Sequence, residues 1–208
     1  MTTFGDGLLL GIVLGMFIVV KPRVTFFGLI LLLLSSVIVN TIKMAIPSLR
    51  PVTELADVHV VGPILRSGSF PSGHSSAAFA VAISLAHFTS SRSLKAFLLL
   101  FGLLVGLSRI FVGAHFPTDV LWGIIVSLAI YELIYKFVWP IIEVYVPALP
   151  KLDNFFFKVF SLVEVVTCLF CLFIYSQAFA EYPPVAIAIS TGVLTFFGAA
   201  YIKLVRSN

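Results

Sequence analysis

Seven apolar runs decide what this chain can fold into. A helix needs roughly 20 apolar residues to cross roughly 30 Å of hydrocarbon, and the sequence offers runs of about this kind between clusters of charge, proline and glycine. They are Phe4–Val20, Val24–Ile42, Ser75–Phe88, Ala96–Val112, Thr118–Trp139, Phe155–Phe179 and Val185–Val205, of which the first and third are short. We therefore predict an all-α, polytopic transmembrane helical bundle of six to seven spans, with one domain over residues 1–208.

Composition supports this class and excludes several others. Only 11% of the residues are charged and 60% are hydrophobic, whereas a soluble chain carries about 25% charged residues. Two cysteines are too few for a disulfide scaffold. A net charge of +4 is too small to suggest nucleic-acid binding, and nothing implies an obligate protein partner. The partner that the composition predicts is the lipid bilayer.

Basic residues predict the orientation of the bundle. Threading seven spans places nine of the 13 lysines and arginines on one face: Lys21, Arg23, Arg92, Lys95, Lys136, Lys151, Lys158, Lys203 and Arg206. The excess of basic residues marks the cytoplasmic face. The remaining four, Lys43, Arg50, Arg66 and Arg109, fall on the outer face. Lys43, Arg50 and Arg66 lie in or near the short polar outer loop between the second and third spans, and Arg109 lies near His115 and Asp119. We predict that this cationic outer face, towards the cell exterior, binds an anion.

Three short stretches of sequence carry the candidate chemistry on that outer face. The first runs from Lys43 to Arg50-Pro51, the second is Pro71-Ser72-Gly73-His74, and the third runs from Ser108-Arg109 through His115 to Asp119. The guanidinium groups of Arg50 and Arg109 suit bidentate phosphate contacts, and Lys43 adds a point charge.

The second stretch is typical of a helix start. Pro71 suits the first helical turn, where its missing N–H costs nothing. The backbone N–H groups of Ser72, Gly73 and His74 would then point out of the positive helix end, which favours an anion. Gly73 allows close approach of the anion, and the Ser72 hydroxyl adds a donor.

The third stretch pairs a histidine with a carboxylate. His115 and Asp119 stand four residues apart, so in a helical turn both side chains lie on one face and the carboxylate can hold one imidazole nitrogen. The other nitrogen is then unprotonated and available as a nucleophile. His74, from a different helix, can supply the complementary proton.

These stretches together resemble the tripartite signature of the type 2 phosphatidic acid phosphatase (PAP2) superfamily, the lipid phosphate phosphatases. The resemblance covers residues 43–119 and is one of hydropathy only beyond them. It implies that His115 is a nucleophile that forms a phosphohistidine, that Asp119 orients it, and that His74 protonates the leaving group. It also implies a phosphate-binding set of Lys43, Arg50, Ser72, Gly73 and Arg109. Family members commonly place three helices before the first motif, whereas two precede it here.

The resemblance implies an enzyme without a cofactor, acting on a phosphorylated membrane lipid. Likeness to small bacterial members favours lipid A 1-phosphate as the substrate. Undecaprenyl pyrophosphate, phosphatidylglycerol phosphate and phosphotransfer to a lipid hydroxyl are the alternatives. A haloperoxidase shares the signature, but those proteins are soluble. A transport or lipid-binding protein would not need both histidines with the aspartate.

Further polar residues of the outer loop stay open between two interpretations. Arg66 is either a contact to the lipid headgroup or a solvated loop arginine. Glu54, Asp57 and His59 either bind a divalent metal or form a polar lid. Because no pair of carboxylates stands at metal spacing near His115, we predict a lid and no metal site.

Overall fold

The computed structural model describes residues 6–15, 17–18, 20–55 and 68–148, together with the helical positions 155, 159, 162 and 166. These residues form helices and no strand. The helices are α1 (Gly7–Gly15), α2 (Pro22–Ala45), α3 (Pro51–Glu54), α4 (Gly73–His87), α5 (Arg92–Phe111), α6 (Pro117–Leu133) and α7 (Trp139–Ile142). One π-helical turn, Ile134–Val138, joins α6 to α7.

Three helices are long and apolar enough to cross a membrane: Pro22–Ala45, Arg92–Phe111 and Pro117–Ile142. They correspond to the second, fourth and fifth apolar runs, so the prediction of an all-helical membrane protein is confirmed. The two runs that looked short contain α1 and the 15-residue α4. The last two runs lie outside the described residues, apart from four isolated positions. Six to seven spans and a single domain therefore stay predictions.

Helix α4 is the centre of the bundle and packs against α1, α2, α5 and α6. It can take this place because its buried side chains are small, and small residues let helices approach closely in a membrane. Those side chains include Ser75, Ser76, Ala77, Ala78, Ala80, Ala82, Ser84 and Ala86. The same composition explains why this helix gave a weak hydropathy signal.

Helix α5 has two unlike faces. Its buried residues are Gly102, Val105, Gly106 and Arg109, which recur at the spacing of one helical face. The large apolar residues point away from the bundle, with Phe97 and Phe111 among the exposed ones. A soluble helix places its apolar face inward, so this reversal is what contact with lipid requires. It also carries Arg109 inward, towards α4.

The closest contact between α4 and α6 lies at Gly123. A Cβ atom added there would stand 2.5 Å from the carbonyl oxygen of Ser72. One turn earlier the two segments are joined directly, since Ser72 N–H donates to Asp119 O at 2.9 Å. Glycine at position 123 therefore sets the distance between the two polypeptide segments that carry the outer polar residues.

Replacing Gly123 with alanine is expected to destabilise the protein by about 1–3 kcal/mol, the usual range for overpacking. The added methyl group meets backbone, which cannot rotate away, so α6 must move off α4. Thermal unfolding in detergent measures this loss. Gly11→Ala is the matched control, because its Cβ would meet only Leu32 Cδ2, at 3.9 Å. Equal unfolding midpoints for the two variants would contradict the prediction.

A cluster of aromatic rings surrounds the C-terminal end of α4. The His87 ring stacks on Phe27 with 5.0 Å between ring centroids, and its Nδ1 lies 3.0 Å from the Tyr131 hydroxyl. Phe88 and Trp139 pack edge-on against the same phenylalanine. The half-buried His87 thus belongs to packing, at the opposite end of α4 from His74.

Candidate active site

Residues 68–72 form the segment that leads into α4, and it is fastened to the chain after α2. The backbone N–H groups of Ser69 and Phe70 donate to Ser48, the first to its carbonyl oxygen at 3.1 Å and the second to its hydroxyl at 2.8 Å. The first and second sequence stretches are therefore held side by side. Sequence analysis had no signal for Ser48, which lies between two signature positions.

His115 and Asp119 come together at the junction of α5 and α6. Gly113 has a φ of 69°, the left-handed conformation that glycine tolerates best, and it ends α5. Pro117 then begins α6. His115 Nδ1 lies 3.4 Å from Asp119 Oδ2, and both residues are only 3% exposed. The two side chains meet as predicted, but not through a helical turn, because His115 lies in a bend before Phe116, the N-cap of α6.

The contacts of His115 fix its tautomer. Arg50 Nη1 lies 3.4 Å from His115 Nε2, and a guanidinium can only donate hydrogen bonds. This contact favours the tautomer in which Nε2 accepts and the proton lies on Nδ1, facing Asp119. Both contacts are long for hydrogen bonds. They nevertheless leave Nε2 as the nitrogen with a lone pair, which a nucleophile requires.

Burial keeps this imidazole neutral. It lowers the pKa of His115 below its usual value, because the charged form loses solvation, and the positive charges of Arg50 and Lys43 act in the same direction. The hydrogen bond to Asp119 opposes the shift without reversing it. His115 is thus unprotonated near neutral pH.

Two of the predicted phosphate ligands contact backbone carbonyl groups. Lys43 Nζ donates to Gly68 O at 2.9 Å and to Ser69 O at 3.1 Å. Arg50 donates to Ala114 O at 2.9 Å through Nη1 and to Gly68 O at 3.4 Å through Nη2. The two cations therefore converge on one carbonyl oxygen, that of Gly68. This arrangement draws the first and second stretches together with the chain just before His115.

The side chain of Arg109 differs from those of Lys43 and Arg50 in its hydrogen bonding. Its side chain is 7% exposed, and its Nε has no hydrogen-bond partner among the described residues. A buried donor without a partner is costly, so such a group marks a place where a ligand oxygen would be favourable. Of the three predicted cations, Arg109 is the one whose donor geometry is least used within the protein.

The start of α4 differs from the prediction in two respects. The helix begins at Gly73 with Ser72 as its N-cap, so Pro71 lies before the cap and not in the first turn. The Ser72 N–H donates to Asp119 O and so cannot also point at an anion. The hydroxyl oxygen of Ser72 accepts hydrogen bonds from Ser75 N–H and from the Ser75 hydroxyl. The hydroxyl proton of Ser72 can therefore be donated to another group. Near Gly73, a Cβ would meet only Val39, at 3.7 Å, so packing does not demand glycine there.

His74 lies in the first turn of α4, ahead of the apolar part of that helix. Burial and the charge of Arg109 lower the pKa of His74 to about 4, and the negative charge of Asp6 partly opposes this. The charges of His115 and Arg50 also lower the pKa of His74. Asp6, just before α1, was not a candidate in the sequence. The two imidazoles are neutral when the site is empty.

An open groove of about 360 Å³ borders His115. Its other lining residues are mostly apolar and come from α3, the end of α5 and the start of α6: Pro51, Leu55, Ile110, Phe111, Gly113, Phe116 and Pro117. Phe111 is exposed, so the groove adjoins the lipid-facing side of α5. An apolar chain can therefore reach the neighbourhood of the imidazole without crossing the polar face.

The described residues contain no group of three or more histidine, cysteine, aspartate or glutamate side chains that could hold a metal ion. Of the outer-loop residues considered for metal binding, Glu54 is exposed at the end of α3. Asp57 and His59 lie outside the described residues, and so does Arg66. Their proposed roles stay predictions.

Sequence analysis missed one residue that contacts the histidine–aspartate pair. Ser69 is fully buried, and its hydroxyl donates to Asp119 Oδ2 at 2.5 Å. It stands two residues before Pro71, in a loop rich in glycine and serine, where its side chain has no distinguishing pattern. Only the folded arrangement places it against Asp119, 50 residues later in the sequence.

The chain is similar to one family model and to two known proteins. The family model of the PAP2 superfamily matches residues 24–143. Undecaprenyl-diphosphatase BcrC of Bacillus subtilis (strain 168) is 42% identical over 80 residues, which are 38% of this chain and 40% of that protein. The chain thus matches less than half the length of this relative. The crystal structure of Aquifex aeolicus LpxE superimposes with a TM-score of 0.61 and 30% identity, over 65% of this chain and 81% of that one.

Proposed function

The chain belongs to the PAP2 superfamily, and from that premise we propose that it is an integral-membrane phosphatase that removes the terminal phosphate of an anionic lipid. The observation that carries the proposal is the state of His115. Its Nδ1 faces Asp119, and its Nε2 lies 3.4 Å from Arg50 Nη1, the contact that assigns the lone pair to Nε2. These features are those of an activated nucleophile.

The proposed binding step uses charge that is already in position. A terminal phosphate carries about −1.5 to −2 near neutral pH, as phosphoserine does. Lys43, Arg50 and Arg109 supply three cations, and the N–H groups of Gly73 and His74 and the Ser72 hydroxyl supply further donors. Preset donors of this kind stabilise the charge on the equatorial oxygens during phosphoryl transfer.

The proposed reaction has two steps. In the first, His115 Nε2 attacks phosphorus, the bond to the lipid oxygen breaks, and His74 gives that oxygen a proton. In the second, water attacks the phosphohistidine, His74 takes a proton from the water, and the bond between phosphorus and His115 breaks. Asp119 stabilises the positive charge that His115 acquires in between. No metal takes part in either step.

The substrate is a phosphorylated membrane lipid that keeps its apolar chain in the bilayer. The groove beside His115 supports this, since it is lined by apolar side chains and adjoins the lipid-facing surface. The name of the Bacillus subtilis relative supports undecaprenyl diphosphate. Lipid A 1-phosphate, which the sequence resemblance favours, is the second candidate. We place the protein in the cytoplasmic membrane with the site on its outer face.

Phosphate release by detergent-purified protein tests the function. We expect release from undecaprenyl diphosphate, lipid A or phosphatidylglycerol phosphate, with the same rate in the presence and absence of EDTA. A rate that EDTA abolishes and magnesium restores would show that the reaction needs metal. No release from any of the three lipids by folded protein would reject the proposed activity for these substrates, and the ranking of rates assigns the preferred one.

A further inference from the structure

The hydroxyl of Ser69 contacts both members of the histidine–aspartate pair. It donates to Asp119 Oδ2 at 2.5 Å and stands 3.4 Å from His115 Nδ1. The Phe116 backbone N–H donates to the same carboxylate oxygen at 2.9 Å. Oδ2 therefore has three donor contacts, and among the described residues Ser69 is the one that reaches it from outside the segment that connects α5 with α6.

We propose that Ser69 is a positioning residue for catalysis, which holds the Asp119 carboxylate in the orientation that aims His115 Nε2 at phosphorus. The inference rests on the proposed phosphatase function. A carboxylate can rotate about its bond to Cβ, and a donor on each side of Oδ2 removes that freedom. Groups that orient a catalytic ligand in this way are commonly worth a factor of about 10 to 100.

Ser69 suits this role because its backbone and its side chain make different hydrogen bonds. Its N–H is bound to Ser48 O, and its carbonyl oxygen accepts from Lys43 Nζ. Both contacts remain when the side chain is shortened. Removing the hydroxyl therefore tests the contact to Asp119 while the cation contacts of the same segment stay in place.

The expected result for Ser69→Ala is a fall in kcat of about tenfold, the rate equivalent of one hydrogen bond, with KM unchanged. Ser84→Ala is the matched control. Ser84 is equally buried, but its hydroxyl bonds within its own helix, to Ala80 O at 2.7 Å. Loss of one buried hydroxyl should lower the rate only at position 69.

Two further readouts separate positioning from a merely structural effect. Without the Ser69 donor, the Asp119 carboxylate stabilises the imidazolium form of His115 more strongly, so the acid limb of the pH–rate profile should move to higher pH. The other charged or titratable groups that act on His115 are Arg50, Lys43 and His74, and the substitution leaves them in place. In an Asp119→Asn background, Ser69→Ala should have little further effect on kcat.

The outcomes distinguish this inference from the function beneath it. An inactive wild-type protein contradicts the phosphatase assignment itself. An active wild type with an equally active Ser69→Ala variant overturns the role of Ser69. A tenfold fall that persists undiminished with Asp119→Asn also overturns it. If alanine prevents folding, Ser69→Cys keeps the shape with a weak donor; a reduced kcat supports the role and a wild-type kcat contradicts it.

Discussion

Replacing His115 with asparagine is expected to abolish turnover, with a loss of about 10⁴-fold or more, as for other covalent nucleophiles. Asparagine is polar and of similar reach, but it has no lone pair that can form the bond to phosphorus. Two measurements check this: release of inorganic phosphate, and transfer of a radioactive terminal phosphate to the protein. The wild type should carry an acid-labile label, and the variant should carry none.

His87→Asn is the matched control for this experiment. It removes the half-buried histidine at the other end of α4, which stacks on Phe27 and contacts Tyr131. Its loss should lower the thermal stability and leave phosphate transfer in place. Near-normal phosphate release by the His115 variant would show that the covalent mechanism is wrong, even if a lipid phosphatase activity remained.

Replacing His74 with alanine is expected to lower kcat by about 10²–10⁴-fold on a lipid phosphomonoester, the usual contribution of a general acid. The reason is that an alkoxide is a poor leaving group and needs a proton as the bond to phosphorus breaks. p-Nitrophenyl phosphate releases a stable anion and needs no proton. The ratio of rates between variant and wild type should therefore be much closer to one for that substrate.

The pKa of His74 determines at which stage its imidazole gains the proton that it donates to the leaving group. With the site empty, burial and Arg109 hold that pKa at about 4, so His74 carries no proton to donate near neutral pH. A bound phosphate brings negative charge, which raises the pKa of a nearby imidazole, and its monoanion brings the proton itself. Equal losses on both substrates would assign His74 to phosphate binding and not to acid catalysis.

How far the fold could be predicted depended on side-chain size. Helices α2 and α5 are rich in leucine, isoleucine and phenylalanine, so hydropathy located them. Helix α4 is more buried than either, but many of its buried residues are alanine and serine, and its short apolar run does not show that it is the centre of the bundle. Its position follows from helix contacts made across the whole chain, which no local pattern contains.

In the site, too, contacts between residues close in the sequence could be predicted, and contacts between distant residues could not. The pairing of His115 with Asp119 was predictable from their four-residue spacing, although His115 lies in a bend just before the N-cap of α6 and not in a helical turn. The contact between Ser69 and Asp119 was not, because it depends on how α4 and α6 approach at Gly123. The spacing of the motifs also could not show that Lys43 and Arg50 would meet at the carbonyl of Gly68.

The carbonyl group of Gly68, which Lys43 and Arg50 share, affects which anions can bind. The oxygen of Gly68 offsets the repulsion between Lys43 and Arg50, because both side chains donate to it. An anion that binds these two cations must replace those hydrogen bonds. Chloride offers one charge and one acceptor atom in return, whereas a phosphate group offers several acceptor oxygens at once. We therefore expect these contacts to favour phosphate groups over simple salt ions.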